Sequence, residues 1–424
     1  MKIKELSAGD RVKLLTKDRE WEGWILESYN PEIILVKLKT GYNIGLREED
    51  ILNVRVIEKV KGIEKKKRIE KNPALPNVGM IITGGTISSR LDSKSGGVIY
   101  TGAEEILEIA TKIKEICNIT RIERPFMKWS ENMSYKDWKK IAECCEDMLS
   151  DSSLSGIIIT HGTDFLHYTS IALSFFIKNL NKPIALTYSQ RSIDRASTDA
   201  SLNLFCAARY AVSDIAEIAI IGHKNENDSV CLAMPGTKVR KMHTSRRDAF
   251  KIINSQAIAE ISEKEFKILR EFNARNDSKP EIDTKFEEDI ALIQIYPGQD
   301  PEILEFYKKK GYKGIILEIA GIGQVPAQDA RYNWLPKIKK AIQEGLVICA
   351  TPQTLYGRLD TKVYSAGRDL EKTGIIVLED MLPETAFVKL GFVLAHKDWI
   401  KNKETIKQKM LENFSGEFNK RLLD

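Results

Sequence analysis

A chain of 424 residues exceeds one ordinary domain and points to roughly two to four. Hydrophobic residues at 42% and charged residues at 29% are globular values, which excludes a fibrous or disordered chain and provides for a sizeable core. Sixty-five basic against 60 acidic side chains leave a net charge of only +5, which does not mark a dedicated nucleic-acid binder but leaves such binding open.

No apolar run approaches the roughly 20 residues of a membrane span. The amino terminus, with Lys2, Lys4, Glu5 and Asp10, lacks a signal-peptide core, so a cytoplasmic protein is expected. Residues 1–58 alternate in short apolar steps around Val12, Trp24, Val36 and Ile44, broken by Gly, Asp and Asn turns; this predicts a small all-β barrel of the SH3-like kind. Residues 59–75, rich in Lys and Glu and ending at Pro73, read as a charged linker. From Val78 strands alternate with helices, the signature of a largely parallel sheet covered on both faces. Helices are predicted over 103–117, 135–150, 169–179 and 201–212, with strands near 157–160, 184–186 and 218–221, in a large α/β domain spanning 76–270. Polar residues 271–287 read as a connector, and strands near 290–295, 314–318, 346–351 and 375–378 define a smaller α/β domain over 288–395. Trp399, Ile406, Met410 and Phe414 recur at near-helical spacing, which predicts an amphipathic tail helix within 396–424 that packs on its own domain. The six cysteines form no C-x-x-C pair and the five histidines no ligand-spaced cluster; reduced thiols are expected and no metal site.

Two stretches share one design. Val78-Gly79-Met80-Ile81-Ile82 empties into Thr83-Gly84-Gly85-Thr86, and Gly156-Ile157-Ile158-Ile159 into Thr160-His161-Gly162-Thr163-Asp164 just ahead of a helical pattern. Each places hydroxyls and glycines at the carboxyl end of a buried strand, where free backbone N–H groups favour an anion or a developing oxyanion. Thr86 and Thr163 are the candidate nucleophiles, since no G-x-S-x-G elbow or Cys-His signature competes. A hydroxyl needs a base to take its proton; Asp164 is one candidate and a desolvated lysine is the other kind, which the residues alone do not single out. Threonines that merely cap the following helix are the alternative reading.

The pair Thr83-Gly84-Gly85-Thr86-Ile87 and His161-Gly162-Thr163-Asp164 resembles the paired signature of the bacterial-type asparaginase/glutaminase family, over about residues 76–394. The leading barrel, together with Ser130-Glu131-Asn132-Met133, Ser189-Gln190-Arg191-Ser192 and the stretch Val239 to Phe250, is further similar to the family of D subunits of archaeal glutamyl-tRNA(Gln) amidotransferases. The resemblance implies a two-lobed parallel-sheet body behind a small all-β barrel. It implies Thr86 as nucleophile, Thr163, Asp164 and Lys241 as a second triad, and Tyr100 on a flap near the nucleophile. Ser130 and Glu131 would hold the amino-acid end of the substrate, with Gly162 in the binding loop, while Gln324 falls near a position that reaches a neighbouring subunit. Phe165 and Thr187-Tyr188 depart from the family's smaller residues.

By the same resemblance the amide donor is glutamine or asparagine, and the ammonia released passes to a transferase E subunit that converts Glu-tRNA(Gln) to Gln-tRNA(Gln). ATP and magnesium belong to that partner and no cofactor to this subunit, which agrees with the absence of a G-x-x-x-x-G-K-[ST] loop. A homodimer within a heterotetramer is implied. A stand-alone asparaginase or glutaminase with an appended barrel is the alternative, and an RNA-binding protein without catalysis is a third.

Overall fold

The computed structural model describes residues 6, 9–26, 28, 32–40, 42–59, 72–91, 98–100, 106, 111–195 and 197–421, with the backbone alone for 91, 98–100 and 111. Strands β1 (Arg11–Thr16), β2 (Glu20–Leu26), β3 (Ile33–Leu38), β4 (Asn43–Arg47) and β5 (Ile51–Glu58) form an antiparallel sheet in the order β4-β3-β2-β1-β5. Their period-2 pattern turns Val12, Leu14, Ile25, Val36 and Val54 into a small separate core. The charged linker falls largely outside the described residues.

The large lobe follows with β6 (Asn77–Ile82), β7 (Ser89–Leu91), β8 (Val98–Tyr100), β9 (Asn118–Glu123), α1 (Tyr135–Ser150), β10 (Leu154–Thr160), α2 (Leu166–Phe176) and β11 (Ile177–Lys178). It continues through β12 (Ile184–Thr187), α3 (Ala200–Ala211), β13 (Ile218–His223), β14 (Val230–Pro235), β15 (Val239–Lys241), β16 (Phe250–Ile252), β17 (Ala259–Ser262), β18 (Phe266–Ile268) and β19 (Glu281–Ile282). The main sheet runs β18-β17-β14-β13-β12-β10-β6-β9. The ladders from β9 to β13 are parallel, whereas β14, β17 and β18 extend the sheet antiparallel, so the largely parallel sheet read from the sequence is a mixed one. Its centre explains why β10 reads as an unbroken apolar run: Ile158 packs into the core on one face, and Ile157 and Ile159 into the core on the other.

The small lobe comprises β20 (Ile290–Gln294), α4 (Ile303–Lys309), β21 (Gly314–Ile319), α5 (Trp334–Gln343), β22 (Val347–Pro352), α6 (Ser365–Glu371), β23 (Ile376–Val377), α7 (Pro383–Leu394) and α8 (Lys403–Leu411). Its four strands are parallel in chain order. Helix α7 joins the two lobes. Val388 and Phe392 sit in the large-lobe core beside Phe175 and Phe176 of α2, while Ala386, Leu390 and Val393 sit in the small-lobe core.

Two expectations need correction. Of the helix read over 103–117, Ile106 is helical and buried as expected, but Thr111–Glu115 is a 3₁₀ helix and the chain has entered β9 by Asn118, whose N–H donates to the Pro76 carbonyl. The tail helix covers only Lys403–Leu411, because Asn402 caps its start and the chain leaves it extended at Glu412. Trp399 and Phe414 reach the same core from the flanking turns, and Ile406 and Met410 from the helix, so the apolar spacing had the face right and the length wrong. Among the described residues no helix is long and apolar enough to cross a membrane.

The turn after α8 carries a fully buried ion pair, Lys389 Nζ to Glu417 Oε1 at 2.6 Å, and Glu417 also accepts the N–H groups of Phe414 and Ser415. Glu417→Ala strands a buried ammonium and is expected to cost about 3–5 kcal/mol in chemical unfolding. Lys139→Ala, which removes only an exposed pairing with Glu143, is expected to cost less than about 1 kcal/mol.

Candidate active site

β6 and β10 lie side by side with Ile82 opposite Thr160, so both strands end at the same height. Thr83 then donates from its backbone N–H (3.2 Å) and its hydroxyl (2.9 Å) to the Thr160 carbonyl, which ties the first loop to the second strand. Gly84 and Gly85 adopt φ of +111° and +77°, and a β-carbon on Gly85 would stand 2.3 Å from Gly162 Cα, one on Gly84 2.4 Å from the Lys128 carbonyl oxygen. Only glycine meets both demands. Thr86 opens the 3₁₀ turn Thr86–Ser88 immediately beyond this contact and is half-buried.

The second loop is held as firmly. His161 is fully buried; its Nδ1 lies 2.7 Å from the Gly162 carbonyl and its Nε2 2.9 Å from the Thr169 hydroxyl. A carbonyl only accepts, so the proton sits on Nδ1 and Nε2 accepts from Thr169. Burial pulls the His161 pKa down to about 4, which keeps the ring neutral. His167 is pushed down to about 3 by burial and by the neighbouring charges of Arg240 and Lys241. α2 starts at Leu166 with no side-chain cap, which answers the capping alternative for Thr163. Instead the Phe165 N–H donates to Ser130 Oγ (3.2 Å), and Thr163 receives Lys241.

Lys241 ends β15 and its Nζ donates to Thr163 Oγ1 and Asp164 Oδ1, both at 2.8 Å. The lysine side chain is 11% exposed and that of Asp164 60%, so the amine is sheltered between a buried hydroxyl and a carboxylate at the rim. The fold thus brings one lysine to the Thr163 hydroxyl. Ser130, nearly fully buried, lies where a β-carbon on Gly162 would meet its Oγ at 3.0 Å; Glu131 is exposed on the same 3₁₀ turn, Ser130–Asn132. Thr86, Ser130, Gly162, Thr163, Asp164 and Lys241 therefore belong to one strand-end cluster. Tyr100 pairs through its backbone with Ser89, close in sequence to Thr86, and its side chain lies outside the described residues. Gln324 stands in the small lobe with its amide nitrogen buried and without a hydrogen bond.

Residue patterns missed the supporting side chains. Lys128 pairs with Asp137 at 2.7 Å while its N–H donates to the Thr83 carbonyl, fixing the approach to Ser130. The Asp137 end was legible as a capping box after Ser134; nothing local marks Lys128. Among the described residues no group of His, Cys, Asp and Glu is arranged to hold a metal ion.

Comparison with known proteins agrees with this architecture. Residues 77–274 match the family described as Asparaginase, N-terminal, residues 289–410 the Glutaminase/Asparaginase C-terminal domain, and residues 6–57 the GatD N-terminal domain. The chain is 43% identical to the D subunit of the glutamyl-tRNA(Gln) amidotransferase of Thermococcus kodakarensis, covering 97% of this chain and 94% of the relative. It is 41% identical to the corresponding D subunit of Methanopyrus kandleri, covering 97% and 92%. Among solved structures, the thermostable L-asparaginase of Thermococcus kodakarensis superposes with a TM-score of 0.74 at 29% identity, over 81% of this chain and all of that one. L-asparaginase I of Vibrio cholerae gives 0.69 at 26%, over 82% and 100%.

The two buried histidines carry a pH signature. Their folded pKa values lie below the ordinary 6.5, so the unfolded chain binds more protons and stability falls with acidification. The loss is expected to begin near pH 6.5 and to continue to about pH 4 for His161. Unfolding free energy measured against pH should fall less steeply over this window in His161→Gln, with His167 keeping its own share of the slope; an unchanged slope contradicts the assignment.

Proposed function

The chain belongs to the asparaginase family and, within it, to the D subunits of glutamyl-tRNA(Gln) amidotransferases, and we propose that its strand-end cluster is the site that cleaves the side-chain amide of glutamine. The observation that carries this reading is the Lys241 amine bonded to both Thr163 and Asp164 while Gly85 rests on Gly162 beside Thr86. In this reading Thr86 Oγ1 attacks the amide carbon and the Thr163–Lys241 pair takes and returns the proton. Backbone N–H groups of the glycine loops hold the tetrahedral oxyanion, each such donor being worth about 3–4 kcal/mol. Ammonia leaves, and water attacks the acyl-threonine to restore the hydroxyl. Asp164 balances the lysine charge from the rim, and Ser130 with Glu131 receives the substrate's α-carboxylate and α-ammonium, the glutamate facing the ammonium.

The amino-terminal match favours an amidotransferase subunit over a stand-alone asparaginase, since the asparaginase structures cover the body and leave out about a fifth of the chain. Ammonia is then handed to a partner E subunit that activates the glutamate of Glu-tRNA(Gln) with ATP and magnesium, and this subunit holds no cofactor of its own. The subunit works in the cytoplasm as a homodimer within a heterotetramer.

Thr86→Ala and Lys241→Met are each expected to lower ammonia release from glutamine by about 10³-fold or more with an unchanged circular-dichroism spectrum. Turnover within ten-fold of the parent in either one removes that residue from its role. Mixing the chain with an E subunit, ATP, magnesium, glutamine and Glu-tRNA(Gln) should yield Gln-tRNA(Gln); no product in the mixture contradicts the amidotransferase reading.

A further inference from the structure

Resting on that reading of Lys241, we propose that Glu384 is a positioning residue for amide cleavage: from the small lobe, through Arg240, it fixes the register of the strand that carries the lysine.

β15 is three residues long and pairs only with β16, in a hairpin apart from the main sheet. Bonds from the Ile253 N–H to the Lys238 carbonyl and from the Met242 N–H to the Ala249 carbonyl extend the ladder at each end, but an isolated two-strand hairpin is marginal on its own, and a slip by one residue turns every side chain to the opposite face. Here a slip would offer the Arg240 guanidinium to Thr163, a group that always stays protonated and accepts no hydrogen bond. Successive residues of the strand do point to opposite sides: Lys241 reaches Thr163 and Asp164 in the large lobe, while Arg240 Nε meets Glu384 Oε1 at 3.1 Å. Two residues earlier Lys238 Nζ contacts Asp380 Oδ2 at 2.6 Å, with both side chains buried, and the Thr237 carbonyl accepts from Thr385 Oγ1 at 2.8 Å. All three partners come from the start of α7 and the turn before it, the element that joins the lobes. These contacts at Thr237, Lys238 and Arg240 lie on either side of Val239, itself buried in the large-lobe core, and hold the strand with Lys241 aimed at Thr163.

Glu384 is the sensitive member of the three. Its side chain is 7% exposed and its Oε2 is buried without a protein hydrogen-bond partner, and Arg240 is the cation paired with it. Glu318 from β21 and Tyr168 from α2 face the same junction. Burial raises the pKa of Glu384, and burial together with the Glu384 charge raises that of Glu318. Thr385 and Asp380 make contacts that other polar groups share; Lys238, for example, also donates to the Asp380 carbonyl.

The test uses the full-length chain and ammonia release from glutamine. Glu384→Gln and Arg240→Met are each expected to lower kcat about 10- to 100-fold with KM within about two-fold, and the double variant to be no slower than the slower single one. Glu384→Asp should recover part of the loss. Wild-type kcat in Glu384→Gln or Arg240→Met, additive losses in the double variant, or a loss of kcat that only tracks a fall in melting temperature overturns the proposal. Should Glu384→Gln fail to fold, the double variant and Arg240→Met decide by the same criteria. Lys241→Met separates the two levels: an active Lys241→Met overturns the reading of the site itself, whereas an inactive one alongside a fully active Glu384→Gln overturns only the role of Glu384.

Discussion

Gly85 resting on the backbone of Gly162 is the contact on which the site depends, since a β-carbon there would lie within 2.3 Å of Gly162 Cα. The contact is possible because β6 and β10 are parallel neighbours in a register that ends both at Ile82 and Thr160. Parallel strands release their loops on one edge of the sheet, so two hydroxylic loops far apart in the chain open onto the same space. The thermodynamic driving force for this is not local to the site. It is the burial of Ile157, Ile158 and Ile159 on both faces of the sheet, which fixes where the strands stop.

Around this contact the polar groups are bonded to one another without any substrate. His161, neutral and bonded at both ring nitrogens, orients the Gly162 carbonyl; Lys128 and Asp137 anchor the segment leading to Ser130; the lobe junction supports the strand of Lys241. Such preorganisation lets donors meet a developing charge without reorganising at the moment of reaction. The rim is different: Asp164 is largely exposed, and Phe165 beside it and Met242 beside Lys241 are exposed apolar side chains. The interior of the site is buried and hydrogen-bonded, and its mouth is exposed.

The sequence carried the strand-end loops clearly, because a buried parallel strand writes itself as an unbroken apolar run and the glycines and threonines that follow are local signals. α1 was legible to the residue over Tyr135–Ser150, where a capping box opens an amphipathic stripe. Lys241 was legible only by resemblance: it sits on β15, a three-residue strand with no periodicity to read, and its partner Thr163 lies 78 residues earlier in the chain. The antiparallel strands β14, β17 and β18 escaped for the related reason that segments of three to six residues are too short to display a clear period. Arg240 and Glu384 could not be paired from sequence at all, since their meeting depends on how α7 packs between the lobes. The tail shows the opposite limit, a true apolar face whose flanking aromatics stand outside the helix.

In the proposed reaction the Thr86 hydroxyl oxygen is the atom that attacks the amide. A glutamine analogue bearing an electrophilic diazoketone in place of the amide, followed by peptide mapping by mass spectrometry, reads that atom directly. A single covalent adduct on Thr86 is expected, suppressed by excess glutamine and lost in Lys241→Met. An adduct on Thr163 or on any residue outside the strand-end cluster, or labelling that glutamine does not compete, contradicts it.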